Sequence, residues 1–312
     1  AWEQTVFKTD KEKYHYLAHQ IARQFAETSA KFEDEYIFCW LDWDGDNILM
    51  DGGIIDYGSI RQFGLFHAEY RYDDVQRYST TILEQRQKAR YMVQCFAQIA
   101  EFLSSKKKKS LSHFRKHPIM QLFDKHFIDC KNKNLLNKIG FKKNHTEHLL
   151  KNHLPQVTKF RKAYSYFERA KSKRGMYKVA DGISRDAIFS MRDILRELPQ
   201  MYLARNTTLS YQEFTEIIKS SYARKSDLKF TDIRKRQINR FQSTYLSLVS
   251  AIEKDLEVNR SQILLELTMR GSVINKYDRV TGDSITFIVQ KVQKLRPKLT
   301  SNELYELSQQ FA

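Results

Sequence analysis

Proline and glycine are scarce in this sequence, with four and ten copies in 312 residues. Because these residues interrupt helices and build turns, their scarcity predicts a helix-dominated protein with few long loops. Cysteine is also rare, and its three copies at positions 39, 95 and 130 are widely spaced. An odd number of distant cysteines argues against a disulfide framework and predicts reduced thiols in a cytoplasmic protein.

Long hydrophobic runs and the common catalytic motifs are missing as well. No apolar stretch approaches the roughly 20 residues of a membrane span, so we expect no membrane span and see no secretory leader. The sequence has no Gly-x-Ser-x-Gly nucleophile elbow, no phosphate-binding Gly-x-x-x-x-Gly-Lys and no Rossmann glycine pattern. A hydrophobic fraction of 41% is nevertheless enough to build a core.

The most informative segment that is present covers residues 43–58. Within it, Asp51-Gly52 lies between two short apolar runs, and Asp-Gly is a preferred two-residue hairpin turn. The predicted strand pairing places Asn47 directly opposite Asp56. An amide oxygen and a carboxylate that converge in this way suit a hard cation such as Mg²⁺, which takes few protein ligands.

An ordinary turn is the simpler interpretation of this segment, because Asn and Asp often cap backbone groups at strand ends. Further carboxylates at Asp42, Asp44 and Asp46 lie beside Trp40 and Trp43, close to the same turn. Like charges at short range cost free energy unless a cation offsets them. We therefore interpret the hairpin as a metal site.

Three short motifs resemble those of selenoprotein O-like proteins, and they read Asp46-Asn47, Ile55-Asp56-Tyr57-Gly58 and Arg77-Tyr78-Ser79. That family has a protein-kinase-like fold and transfers AMP from ATP to protein hydroxyls. The resemblance implies that Asn47 and Asp56 bind the cofactors, ATP with Mg²⁺ or Mn²⁺, and act as the metal ligands. It also implies that Asp46 is the catalytic base. The resemblance covers residues 14–103, about a third of the chain.

Asp42 is a second candidate base, because it precedes Asn47 by five residues as the catalytic Asp does in kinases. The chain departs from the family where Trp40-Leu41 replaces a His-Gly pair and where 82–85 replaces an Asn-Gln-Pro motif. The C-terminal redox motif of some members is also absent. Neither a Gly-rich loop nor a Lys–Glu pair precedes the hairpin. The resemblance thus implies a C-terminal part whose partner is a missing N-terminal lobe.

The excess positive charge is confined to residues 104–174, which hold 20 Lys and Arg against 4 Asp and Glu. The other 241 residues contain 33 of each sign and are neutral. A basic segment attracts nucleic acid, acidic proteins or anionic membrane surfaces. No docking motif accompanies the charge, so we favour a solvated surface, or contact with a missing acidic part of the same protein, over nucleic acid.

Six of the nine histidines lie in the same basic segment. The pairs His113/His117 and His145/His148 have spacings that a helix could use for metal ligands. No Cys cluster or His-Glu-x-x-His motif accompanies them, and the positive surroundings oppose a dication. We therefore interpret them as surface histidines.

Apolar residues recur at helical spacing along most of the chain. Helices are predicted over 11–31, 84–103 and 231–257, and a stripe ending at Leu198 is expected to kink or end at Pro199. Capping boxes at Ser210-x-x-Glu213 and Thr300-x-x-Glu303 predict two further helix starts. Beyond residue 175 we expect helix after helix.

These observations predict a mainly α fold in three parts. A protein-kinase-like C-lobe with a short β-hairpin carrying the metal site occupies 1–103, a basic helical segment follows over 104–174, and a helical bundle extension fills 175–312. The resemblance implies an adenylyltransferase that modifies Ser, Thr or Tyr of a protein substrate. Two alternatives stay open: a phosphotransferase that uses Asp42 as base, and a non-catalytic scaffold that binds a polyanion through 104–174.

Overall fold

The structure is a computed structural model, and its described parts are mainly α-helical, as predicted. By packing, the chain divides into unit 1, Ala1–Gln62 with Gln76–Lys131, and unit 2, Phe63–Val75 with Asn132–Ala312. The composition-based division into three parts is not tested by this packing and stays a prediction. The structure describes residues 6–35, 37–39, 49, 60–62, 69–72, 82–167, 177–179, 182–186, 191–218, 229–275 and 293–310.

Unit 1 is built on two long helices, α1 (Asp10–Asp34) and α2 (Ile82–Ser105), which confirm the predicted helices over 11–31 and 84–103. Thr9 begins α1, because its hydroxyl accepts a hydrogen bond from the N–H of Glu12 at 3.2 Å. Two short strands, a 3₁₀ helix and the start of α3 complete the unit: β1 (Ile37–Cys39), β2 (Ile60–Gln62), Leu111–Phe114 and α3 (Pro118–Ile139).

The apolar side of α2, which carries Met92, Phe96, Ile99 and Phe102, is buried only in part: Met92 lies in the core, and the ring of Phe96 lies 6.0 Å from that of Phe25 between centroids. Ile99 and Phe102 are 47% and 44% exposed. The helix also buries three alanines, and the buried face of α1 is likewise rich in alanine. Small side chains at such positions let close-packed helices lie near one another. The buried residues of α2 are Ala89, Met92, Val93, Ala97 and Ala100.

Unit 2 holds the end of α3 and most of the remaining helices. Its three-stranded antiparallel sheet has the order β3-β5-β4. The expectation of helices alone beyond residue 175 is wrong at β4 and β5, because strands this short carry too few residues to show a period. The elements are β3 (Glu69–Tyr72), α4 (Lys143–Asn152), α5 (Leu154–Phe167), β4 (Tyr177–Val179), β5 (Gly182–Asp186), α6 (Arg192–Arg205), α7 (Tyr211–Ile218), α8 (Asp232–Leu256), α9 (Arg260–Ile274) and α10 (Ser301–Gln310).

The core of unit 2 centres on α8, which confirms the helix predicted over 231–257. Phe241 lies 5.2 Å from Phe160 of α5 and 5.5 Å from Phe214 of α7, measured between ring centroids. Aromatic pairs at this spacing and tilt add to the free energy gained from burial. The predicted apolar stripe is buried in full: Ile238, Phe241, Tyr245, Leu248 and Ile252.

Proline 199 does not end its helix, contrary to one of the two outcomes expected from the sequence. Helix α6 continues through Pro199 to Arg205. Proline removes the N–H that would bond to the carbonyl of Leu195 four residues earlier. Gly271 of α9 packs against that carbonyl, where an added Cβ would stand 3.2 Å from the oxygen. Pro199 therefore lies inside α6, at the turn that α9 approaches closely.

Both capping boxes are confirmed. The hydroxyl of Ser210 accepts from the N–H of Glu213 at 3.2 Å, and the Glu213 carboxylate accepts from the N–H of Ser210 at 2.9 Å. These bonds and the Arg205 ion pair lower the pKa of Glu213 to about 2. At the second box, the Glu303 carboxylate accepts from the N–H of Thr300 at 2.8 Å.

Glycine 140 ends α3 in a left-handed turn, with a φ of +109°. The N–H of Gly140 donates to the carbonyl of Asn137 at 2.9 Å, and that of Phe141 donates to Leu136 at 3.1 Å. This bonding is the Schellman pattern, in which glycine is favoured because it lacks a Cβ. Among the described helices, none combines the length and apolar character that crossing a membrane requires.

Candidate functional site

The residues that the sequence singles out for catalysis and metal binding lie outside the described residues. These are Asp42, Asp46, Asn47 and Asp56. The metal-binding hairpin therefore stays a prediction. The structure does describe the two strands and the helices that flank this stretch of chain.

Strands β1 and β2 bound the predicted site on both sides. They pair antiparallel, with Cys39 directly opposite Ile60 and Ile37 opposite Gln62. Directly opposed residues of an antiparallel pair have Cα atoms about 4.5–5.5 Å apart. Residues 40–59, which contain every predicted site residue, therefore leave and return to the same ladder.

The register of this ladder differs from a simple extension of the predicted hairpin. Continued outward from the turn at Asp51-Gly52, the predicted pairing would set Cys39 opposite Gly64, whereas the structure sets it opposite Ile60. Seven residues lie between Cys39 and Asn47, but only three between Asp56 and Ile60. The side with the extra four residues contains both candidate bases, Asp42 and Asp46.

The base of this segment rests on the helical part of unit 1. Strand β1 contacts both α1 and α2. At the end of α1, the buried carboxylate of Asp34 forms an ion pair with Lys131 of α3, and Glu33 lies 3.4 Å from the same ammonium group. The ladder that bounds residues 40–59 is thus held by packed helices.

Part of the basic segment is neutralised within the protein. Lys109 pairs with Glu101 of α2 at 2.6 Å, and Lys142 pairs with Glu266 of α9 at 2.7 Å. Lys131 forms the ion pair with Asp34 that is described in the preceding paragraph. These acids come from outside residues 104–174, so the segment contacts acidic parts of its own chain. The lysines at 106–108 are exposed.

The interpretation of the basic segment's histidines as surface residues is wrong for His145. His117 accepts a hydrogen bond from the N–H of Ile119 at 3.3 Å, at the start of α3. His145 is buried, and its Nδ1 lies 4.0 Å from Glu266. Burial lowers the pKa of this imidazole, while the Glu266 carboxylate opposes that shift. His148 instead joins His153, a pairing that the sequence interpretation missed.

His148, His153 and Asp255 form a cluster, which we call the His-Asp cluster. The Nε2 atoms of His153 and His148 donate to Oδ2 of Asp255 at 2.6 and 3.0 Å. His148 lies on α4, His153 caps the end of that helix, and Asp255 lies in the last turn of α8. Because Asp255 is 102 residues from His153 in sequence, no local motif could reveal the cluster. The spacing of His148 and His153 was the only sequence signal.

The cluster gives the stability of unit 2 a defined dependence on pH. Hydrogen bonds from His153 and His148 lower the pKa of Asp255, relative to about 3.9 in an unfolded chain. The carboxylate therefore stabilises the fold above pH about 4, and the contribution is lost as pH falls through the lowered pKa. We expect Asp255→Asn to melt below the wild type at pH 6, with the gap closing as the pH falls below about 4.

The matched control for this pH series is Glu253→Gln, which removes a carboxylate from the same helix end. Its melting temperature should follow that of the wild type at a constant offset across the series. A gap for Asp255→Asn that persists unchanged at the acid end would contradict the role of the cluster in stability.

Comparison with known proteins adds no relative on which function could be based. None of the protein-family models, curated proteins or solved structures matches this chain.

Proposed function

We propose that this chain is the C-terminal part of a nucleotidyltransferase that moves AMP from ATP to hydroxyls of a protein substrate. One observation carries the proposal. The candidate base and both candidate metal ligands, at 46, 47 and 56, fall within residues 40–59, which the β1–β2 ladder closes at their base. The motif at Arg77-Tyr78-Ser79 and the helix α2 that follows it support the same family resemblance.

In this proposal the oxygens of Asn47 and Asp56 hold Mg²⁺ or Mn²⁺, with the remaining positions left for water and ATP phosphates. The bound cation supplies charge stabilisation on the phosphate oxygens. Asp46, or Asp42 in its place, accepts the proton of the substrate hydroxyl. The hydroxyl oxygen bonds to the α-phosphorus while the bond from that phosphorus to the bridging oxygen breaks, and pyrophosphate leaves.

The predicted ligand pair divides residues 40–59 into two arms of unequal length, and this inequality supports a base that lies beside Asn47. With Asn47 opposite Asp56, seven residues join Cys39 to Asn47 and three join Asp56 to Ile60, so the two arms cannot pair residue for residue. The arm with four extra residues contains Asp42 and Asp46, and the proposal places the base there. The choice of AMP over phosphate rests on the family resemblance, because both transfers use the same pair of ligands.

The test uses the longest native form of the protein with ATP labelled at the α-phosphorus and either Mg²⁺ or Mn²⁺. We expect metal-dependent label on protein, reduced about 100-fold or more in Asp56→Ala, since most of the barrier reduction is electrostatic. Asp44→Ala is the matched control, because it removes a neighbouring carboxylate that has no role in the proposal. Full activity in Asp56→Ala would remove this residue from the mechanism.

A parallel reaction with ATP labelled at the γ-phosphorus separates the alternatives. Label from the γ-phosphorus alone, sensitive to Asp42→Ala, would replace the proposal with phosphate transfer. No label from either position, together with polyanion binding that weakens steeply with salt and survives Asp56→Ala, would replace it with a scaffold acting through residues 104–174.

A further inference from the structure

We propose that the His-Asp cluster of unit 2 is a binding site for a divalent transition metal, and that the ion it binds is Zn²⁺. The site is separate from the predicted hairpin in sequence and in chemistry. It does not rest on the proposed function.

The donor set is the first argument. Two imidazole nitrogens and one carboxylate oxygen, all within 4.8 Å of one another, make a three-ligand set. Imidazole ligands favour zinc and its neighbours over Mg²⁺ or Ca²⁺, which take oxygen ligands. Three protein ligands leave a fourth tetrahedral position for water, as in zinc sites with an open position.

The distances fit an ion after a small movement. In a tetrahedral site with bonds of about 2.0–2.1 Å, neighbouring donor atoms stand about 3.3 Å apart. Oδ2 of Asp255 now lies 2.6 Å from His153 Nε2 and 3.0 Å from His148 Nε2. These two distances would have to grow by less than about 1 Å to reach that spacing. The side chains of His148, His153 and Asp255 are 19%, 17% and 30% exposed, so solvent reaches them.

The sequence around the cluster lacks the positive charge that the basic segment carries as a whole. Residues 145–155 contain one lysine and one glutamate, and residues 250–260 contain two basic and three acidic residues, so these two stretches carry a net charge of −1, which is the charge of Asp255 itself. Helix α4 ends at Asn152 and α8 at Leu256, next to the cluster. The C-terminal ends of helices carry partial negative charge and stabilise cations.

Asn152 supports a ligating role for His148 because it contacts the other nitrogen of the same ring. Its amide nitrogen donates to Nδ1 of His148 at 3.1 Å, which leaves the proton of the ring on Nε2. Rotation of the amide by half a turn would offer its oxygen to Nδ1 instead. The ring would then hold its proton on Nδ1 and present Nε2 to the metal, as ligating histidines commonly do.

Metal binding would fix the junction of α4 and α5 to the end of α8. A ligand that binds the folded state alone stabilises it by RT ln(1 + [L]/Kd). Zinc should therefore raise the melting temperature of unit 2.

The experiment titrates the full chain, stripped of metal with a chelator, with Zn²⁺ and in parallel with Co²⁺. We expect one Zn²⁺ retained per chain on dialysis, a higher melting temperature, and intense visible Co²⁺ bands typical of a four-coordinate site. Asp255→Asn and His153→Gln should each weaken retention at least tenfold. The matched controls Glu253→Gln and His126→Gln should retain the metal, as should Asp56→Ala, which separates this proposal from the proposed function.

Two results would overturn the proposal. If the wild-type protein retains no zinc on dialysis, then the three side chains are joined only by the protons of their hydrogen bonds. Zinc retained equally by Asp255→Asn and His153→Gln, or Co²⁺ bands with a thiolate charge-transfer component, would place the metal elsewhere. If one variant fails to fold, the proposal is still tested by the Co²⁺ spectrum of the wild type and by the other variant.

Discussion

Gly140→Ala should lower the free energy of unfolding of unit 2 by about 2–4 kcal/mol, the sum of backbone strain and overpacking. The φ of +109° at Gly140 lies outside the range that residues with a Cβ readily adopt. A Cβ would also stand 3.0 Å from the carbonyl oxygen of Leu267 and 3.2 Å from the backbone nitrogen of Gly271. Both neighbours are backbone atoms of α9, so they cannot move aside cheaply.

The destabilisation should extend beyond the turn at Gly140, because other hydrogen bonds depend on the same close approach of α3 to α9. Nε of Arg270 donates to the carbonyl of Gly140 at 2.7 Å, and the amide of Asn275 donates to the carbonyl of Lys138 at 2.8 Å. Pushing α3 away from α9 would lengthen both bonds. The end of α3 would then lose its main polar contacts with α9.

Hydrogen exchange followed by mass spectrometry is the appropriate measurement, with peptides from 132–141 and 260–275 read separately. All three tryptophans lie at positions 2, 40 and 43, so tryptophan fluorescence does not report unit 2. Gly271→Ala is the matched control: its added Cβ meets the carbonyl of Leu195 at 3.2 Å, but a helical position gains about 1 kcal/mol from alanine. Equal protection in Gly140→Ala and wild type would refute the expectation.

Gln242→Leu should cost about 3 kcal/mol or more of the same free energy, because it leaves several buried polar groups without partners. Gln242 is 1% exposed. Its side-chain oxygen accepts from the N–H of Leu209 at 2.7 Å and from the hydroxyl of Tyr202 at 3.0 Å. Its amide nitrogen donates to the carbonyl of Leu209 at 3.0 Å. Leucine fills similar space but satisfies none of these three groups.

Tyr202→Phe serves as the graded comparison, since it removes one hydrogen bond and should cost about 1 kcal/mol. Burial strongly raises the pKa of the Tyr202 phenol, so the hydroxyl stays a donor at neutral pH. Exchange of amides in α7 and α8 should rise more in Gln242→Leu than in Tyr202→Phe. If Gln242→Leu stays within about 1 kcal/mol of wild type, then water or relaxation satisfies the groups instead.

Local signals in the sequence were enough for the helices. Ser210 and Thr300 start helices through bonds to residues three positions later, and that spacing predicted both capping boxes. The stripe on α8 repeats every turn, so its burial followed from periodicity.

What escaped the sequence depends on partners far along the chain. The burial of Ala89, Ala97 and Ala100 depends on the packing of α2 against α1, about 70 residues earlier in the chain. Gln242 and Asp255 look like ordinary polar residues of a helix until Leu209 and His153 are brought beside them. The predicted metal hairpin at 47–56 lies outside the described residues, so its geometry stays a prediction, while the ladder at its base gives the register against which it can be tested.

The long sequence separations within unit 2 also bear on how the protein is made. The bonds from Arg270 to Gly140 and from Asn275 to Lys138 join residues 130 and 137 positions apart. At a synthesis rate of about 5–20 residues per second, the end of α3 leaves the ribosome roughly 7–27 s before its partners. During that interval its apolar face has no native cover on α9. The hydrogen bonds that join the end of α3 to Arg270 and Asn275 can therefore form only after residue 275 has been synthesised.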